Sequence, residues 1–228
     1  MKGLMKAALL ALVLASVPLL AQAAPAGAQA AASPTLTFDL RWPDSDPQWF
    51  ELVFQDDGSV RYRSLPHVEK GSLADPDPYE FSFTLSQRSR ERVAAIAPKL
   101  QRFQGTLDRV RVAFTGSKTV RYQDDSGSSS ISYNYTSAHE LSSFTDLMLG
   151  ISSTIELRRD LESEMRFDKL ALDATLRHVD ELLSLHRLDE TQILQPVLRR
   201  IVEDREVLNM ARQRASRILE TTSAPARK

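Results

Sequence analysis

The chain has 228 residues, 42% hydrophobic and 26% charged, the composition of a folded globular protein rather than of a disordered tail or a multi-span membrane protein. Its 29 basic and 30 acidic side chains give a formal charge of -1, which supplies no basic footprint for nucleic acid or anionic lipid. It has no cysteine, which excludes disulfides, thiol catalysis, thiolate metal sites and lipoprotein processing.

In chain order, Lys2 and Lys6 precede a fourteen-residue apolar run, Ala7 to Leu20. Pro18 lies just before the small-residue motifs Ala21-Gln22-Ala23 and Ala28-Gln29-Ala30. That is the outline of a secretory signal peptide, residues 1–23, cleaved after Ala23, because the run is shorter than the roughly 20 residues that span hydrocarbon. The expected location is periplasmic or extracellular, with no integral membrane segment after cleavage. Residues 24–34, rich in Ala, Pro, Gly and Gln, read as a flexible leader.

A sheet-plus-helix domain is expected over residues 35–136. Leu36, Phe38 and Leu40 alternate with polar residues, and a loop containing Pro43, Asp44, Asp46 and Pro47 follows. The run from Trp49 to Arg63 is a β-hairpin. A three-residue Asp56-Asp57-Gly58 loop with Gly58 left-handed opposes Phe54 to Val60 and Leu52 to Tyr62, and so keeps the apolar side chains on one face. Tyr79, Phe81, Phe83 and Leu85 alternate in a further strand, expected to be central. Thr84 and Gln87 fit a capping box for a helix carrying Val93, Ile96, Leu100 and Phe103, which Pro98 should end or kink. A second hairpin is expected between Val110–Phe114 and Thr119–Tyr122, and a last strand with Ile131, Tyr133 and Tyr135 follows the Ser126–Ser130 run.

The remainder reads as a C-terminal helical region, 137–222, with a disordered tail at 223–228. Ser137 and Glu140 form a capping box. Phe144, Met148, Ile151, Ile155, Leu161, Met165, Leu172, Leu176, Val179 and Leu183 then fall at helical spacing, in one very long helix or two joined near Arg158. Asp189 and Asp204 read as caps of two last helices, which resemble a single HEAT-type pair and are taken as an ordinary helical hairpin. The fold class is α+β: an antiparallel sheet of five to six strands with one covering helix, followed by a helical hairpin or bundle.

No motif rises to a catalytic constellation. Thr115-Gly116-Ser117-Lys118-Thr119 lacks the glycine spacing and the following helix of a phosphate loop. His67, His139, His178 and His186 form no metal-spaced pair; His178 and His186, two helical turns apart, read as solvated surface residues. Asp44, Asp46, Asp75 and Asp77 read as turn acids rather than calcium ligands. Trp42 and Trp49 read as packing against the sheet edge rather than as a sugar platform. Catalytic, cofactor-binding and metal-ligating residues are therefore assigned as none, and no cofactor is expected. Carboxylates brought together only by folding stay open.

The Trp49–Arg63 hairpin with Asp57-Gly58-Ser59-Val60-Arg61-Tyr62 resembles a family of exported bacterial proteins defined only as a domain of unknown function. In that family the hairpin is followed by a helix and a Gly-x-Lys-x-Val hairpin, matched here by Gly116, Lys118 and Val120. The likeness runs from about Thr35 to Ile155 and lacks the family's cysteine pair. A closer likeness is to exported proteins of soil bacteria that append similar C-terminal helices. Neither resemblance implies an activity or a catalytic residue. The resulting expectation is an exported protein of the envelope that binds or scaffolds, with the C-terminal helices meeting a protein partner; the alternative is an envelope hydrolase using Asp, Glu or His.

Overall fold

A computed structural model describes residues 34–67, 77–103 and 113–223. The expected signal peptide and leader, the strand segment at Val110 to Val112, and nearly all of the expected tail lie outside them. The fold is α+β, with a six-stranded antiparallel sheet and a helical C-terminal region.

The strands are β1 (Thr35–Arg41), β2 (Trp49–Gln55), β3 (Ser59–Leu65), β4 (Tyr79–Thr84), β5 (Ser117–Asp124) and β6 (Gly127–Tyr133), in the spatial order β4-β3-β2-β1-β5-β6. The first hairpin has the expected register: Leu52 opposes Tyr62 and Phe54 opposes Val60. Gly58 sits at φ +85°, where a residue with a β-carbon is strained, and its N–H donates to the Gln55 carbonyl. Leu36, Phe38, Phe50, Leu52, Val60, Tyr62 and Val120 all reach the same buried face.

Three local expectations are corrected. The strand at Tyr79 is an edge strand, and its aromatic side chains are half-buried at the margin of the sheet's core, with Arg158 over the Phe81 ring and Arg159 over the Tyr79 ring. The Arg158 guanidinium lies 4.2 Å from the centre of the Phe81 ring and donates to the Tyr79 hydroxyl at 3.2 Å. The second hairpin is formed by β5 and β6, with Val120 opposite Ile131 and Tyr122 opposite Ser129, while Phe114 is exposed coil. Most of the serine run, expected to precede the last strand, is therefore part of it; ladder pairing to β5 and a Ser132–Thr119 hydroxyl contact of 2.9 Å outweigh the poor strand propensity of serine. Ser86, not Thr84, caps the helix, accepting from the Ser89 N–H.

That helix, α1 (Gln87–Ile96), gives way at Pro98 to a 3₁₀ turn and the short α2 (Leu100–Phe103), as the missing proline donor dictates. α3 (His139–Phe167) is one unbroken helix of 29 residues. It starts at Ala138 without a side-chain cap and ends at Asp168, beyond the expected join near Arg158. α4 (Leu172–Ser184), a 3₁₀ turn (Thr191–Leu194), α5 (Gln195–Glu203) and α6 (Asn209–Ser223) complete the chain. Asp189 and Asp204 cap neither of the last helices: Glu190 precedes the 3₁₀ turn, and Asp204 closes α5.

α3 belongs to two cores. Leu141, Phe144, Leu147, Met148, Ile151 and Ile155 join α1 in covering the sheet. Leu157, Leu161 and Met165 join α4, α5 and α6 in a second core, where Ala211 and Ala215 are fully buried. Glu156 marks the boundary. Its Oε1 accepts from the Tyr62 hydroxyl (2.7 Å) and the Ser64 hydroxyl (2.6 Å) on β3, and its Oε2 lies 2.6 Å from Arg159. Burial pushes the Tyr62 phenol well above its ordinary value, so it remains a hydrogen-bond donor to the carboxylate.

Replacing Glu156 tests this joint. Glu156→Ala removes the carboxylate that accepts from two buried hydroxyls, leaving Tyr62 the Ser152 hydroxyl at 2.9 Å, and is expected to cost about 3 kcal/mol. Glu156→Gln keeps an acceptor oxygen and should cost less than half of that. Urea unfolding of the two variants checks the order.

Candidate binding cleft

A cleft of about 1350 Å³ opens between α1, the middle of α3, the end of α4 and the connection that follows α4. Its shape comes from a sharp chain reversal. α4 ends at Ser184, and the N–H groups of Leu185, His186 and Arg187 donate to the Glu181, Leu183 and Leu182 carbonyls. His186 (φ 52°) and Glu190 (φ 56°) are the non-glycine residues of positive φ among the described residues, and both line the cleft. Each left-handed residue costs about 1 kcal/mol or more, so the surroundings must fix it.

Glu190 is fixed by α1. Its carboxylate accepts from the Ser86 N–H (2.8 Å) and the Ser86 hydroxyl (2.6 Å), at the positive end of the helix, and from Gln192 Nε2 (2.6 Å). Asp189 is fixed by α3. Its main-chain carbonyl lies 2.7 Å from the Thr154 hydroxyl, and its carboxylate is 3.4 Å from Arg92 Nη1. Arg92 also donates to the Ser143 carbonyl at 3.2 Å. Gly150 permits this approach: a β-carbon there would overlap the Asp189 carboxylate and come within 3.2 Å of its backbone nitrogen. This glycine inside a helix is thus a contact site.

Desolvation raises the Asp189 carboxyl above its ordinary value, against the opposing pull of Arg92. His178 and His186, read as solvated surface residues, are both exposed, and both line this cleft, since the chain leaves the helix before His186 and turns back. Leu149 and Leu185 line it too, with 37% and 57% of their surface exposed.

The other singled-out residues have local roles. Lys118 is buried, and its ammonium donates to the carbonyls of Thr115 (2.8 Å), Asn134 (2.9 Å) and Gly116 (3.2 Å), tying the entry of β5 to the exit of β6. Desolvation lowers its pKa. His67 Nδ1 lies 2.9 Å from the Pro43 carbonyl, and its backbone N–H donates to Asp46. Asp75 lies outside the described residues. Trp49 donates from its indole to Asp39 at 2.5 Å, with Arg41 and Arg63 each 5.8 Å from the ring. His139 is the first residue of α3. Among the described residues no group of three or more His, Cys, Asp or Glu is placed to hold a metal ion, and no helix is long and apolar enough to cross a membrane.

No protein-family model matches the chain, and no curated protein shows significant sequence similarity to it.

The Asp189 environment gives a signed prediction. Because its folded pKa is raised, the native state binds the extra proton above the unfolded value of 3.8, and wild-type stability falls as pH rises through the folded pKa. Asp189→Asn lacks that dependence. Its stability relative to wild type should therefore increase as pH is raised from about 4 to 7, read by urea midpoints at each pH.

Proposed function

We propose that the protein is an exported, non-catalytic binding or scaffolding protein of the cell envelope, and that the cleft is its binding surface. The observation that carries this reading is the use of the cleft's two inner carboxylates. Glu190 is engaged by three donors and Asp189 by an arginine, so both build the walls. The exposed leucines beside them suit contact with another molecule. The export outline at residues 1–23 and the resemblance to exported bacterial proteins support the compartment.

The alternative, an envelope hydrolase, draws on Asp189 itself: a desolvated carboxyl of raised pKa in a cleft with two histidines is the environment of a general acid. One pair of measurements separates the readings. A photo-crosslinking residue at Leu185 is expected to capture a reproducible envelope partner, while the same residue at Arg121, on the opposite face of the sheet, does not. Purified protein is expected to show no turnover on hydrolase substrate panels; turnover abolished by Asp189→Asn would establish the alternative instead.

A further inference from the structure

Two turns at one end of the helical region leave apolar side chains in water. Phe167 ends α3 and Leu170 lies in the turn to α4, while Leu208 and Met210 flank the first residue of α6, beyond the turn that leaves α5. They are 84%, 73%, 46% and 62% exposed, and they make up half of the eight large apolar side chains exposed among the described residues. Lys169 joins the two turns, its ammonium 2.8 Å from the Asp204 carboxylate and 2.6 Å from that of Glu206. The inward positions on either side are already filled by Met165 and Leu172 and by Val207 and Ala211, so the four exposed side chains cannot enter the second core without displacing them.

Area and charge select the occupant. A fully exposed side chain of this size presents roughly 150–200 Å², so the four leave about 450 Å² of apolar surface in water. A two-fold pairing of this patch covers about 900 Å² from these side chains alone, and the stems of the flanking charged residues bring it to the roughly 1,000–1,200 Å² at which weak specific interfaces begin. Over residues 166–170 and 203–212, Arg166, Lys169, Arg205 and Arg212 balance Asp168, Glu203, Asp204 and Glu206. That balance supplies no field to draw an anionic membrane or a partner of one sign, and no net charge to repel an identical surface. Exposed bases and acids stand side by side there, Arg166 and Arg205 with Asp168 and Glu203, so an identical surface offers each of them an opposite charge.

We propose that this end of the helical region pairs with the same end of a second copy of the chain, as a two-fold dimer. The proposal does not draw on the cleft. Phe167, Leu170, Leu208 and Met210 form the apolar centre of the contact and the balanced charges form its rim. Because a two-fold contact uses the same patch on both copies, association closes at the dimer.

Sedimentation velocity on the full chain, from about 1 to 200 µM, tests it. A monomer–dimer equilibrium half-complete at about 50 µM is expected, with no larger species. The variant Phe167→Ser/Leu170→Ser/Met210→Ser alters exposed side chains only and should stay monomeric throughout, with an unchanged circular dichroism spectrum. Phe167→Ser alone should weaken association at least about threefold. Phe114→Ser/Tyr135→Ser, at exposed apolar residues elsewhere, should associate like the wild type. A wild-type chain that stays monomeric overturns the proposal. So does a dimer that persists in the triple variant, which would place the contact elsewhere, the apolar run at 7–20 included. Growth beyond the dimer contradicts a two-fold contact. Flotation of a monomeric wild type with phosphatidylcholine vesicles, lost in the triple variant, would assign the patch to a membrane surface and overturn the proposal as well.

Discussion

The structure depends on α3 serving two cores at once. A helix of 29 residues has little stability of its own beyond what packing supplies, and this one is packed along most of its length. Its first half closes the sheet's apolar face, and its second half packs into the core shared with α4, α5 and α6. Glu156 stands where the two meet and is tied to β3 by two hydroxyls and to the next helical turn by Arg159. A buried carboxylate is tolerated there because each oxygen has a donor or cation.

The cleft follows from the same helix. Gly150 gives the connection after α4 access to the α3 backbone, and Thr154 holds the Asp189 carbonyl in that position. Glu190 then reaches across to the start of α1, which itself rests on the sheet. Two left-handed residues in one short connection are retained because α1 and α3 both grip it. The site is thus bounded by elements that belong to both cores, and a disturbance of either core changes it.

Much of the fold was legible in the sequence because the strands alternate cleanly. Phe54 opposite Val60 could be argued from the need to keep aromatic residues together, and the observed register agrees. Pro98 ended its helix for a local reason that no tertiary contact can remove. The β5–β6 pairing was missed because Ser128, Ser129 and Ser130 carry no periodic signal; their place in the sheet is set by the partner strand. The length of α3 was ambiguous since its apolar positions fall on more than one face, as expected of a helix buried by two different cores. The cleft was the least legible feature. His178 and His186 line the same cleft by way of a chain reversal without glycine, and Gly150 has its role only because Asp189 lies opposite it.

Shared possession of α3 implies that sheet and bundle cannot unfold separately. Trp42 and Trp49 both lie at the sheet, whereas most of the helical signal comes from residues 139–223. The direct measurement is equilibrium unfolding in urea, followed in parallel by tryptophan fluorescence and by far-ultraviolet circular dichroism at helical wavelengths. The two transitions should superimpose, with one midpoint and one slope. Separate midpoints, with the tryptophan signal lost while the bundle remains helical or the reverse, would contradict a helix that binds two cores into one cooperative unit.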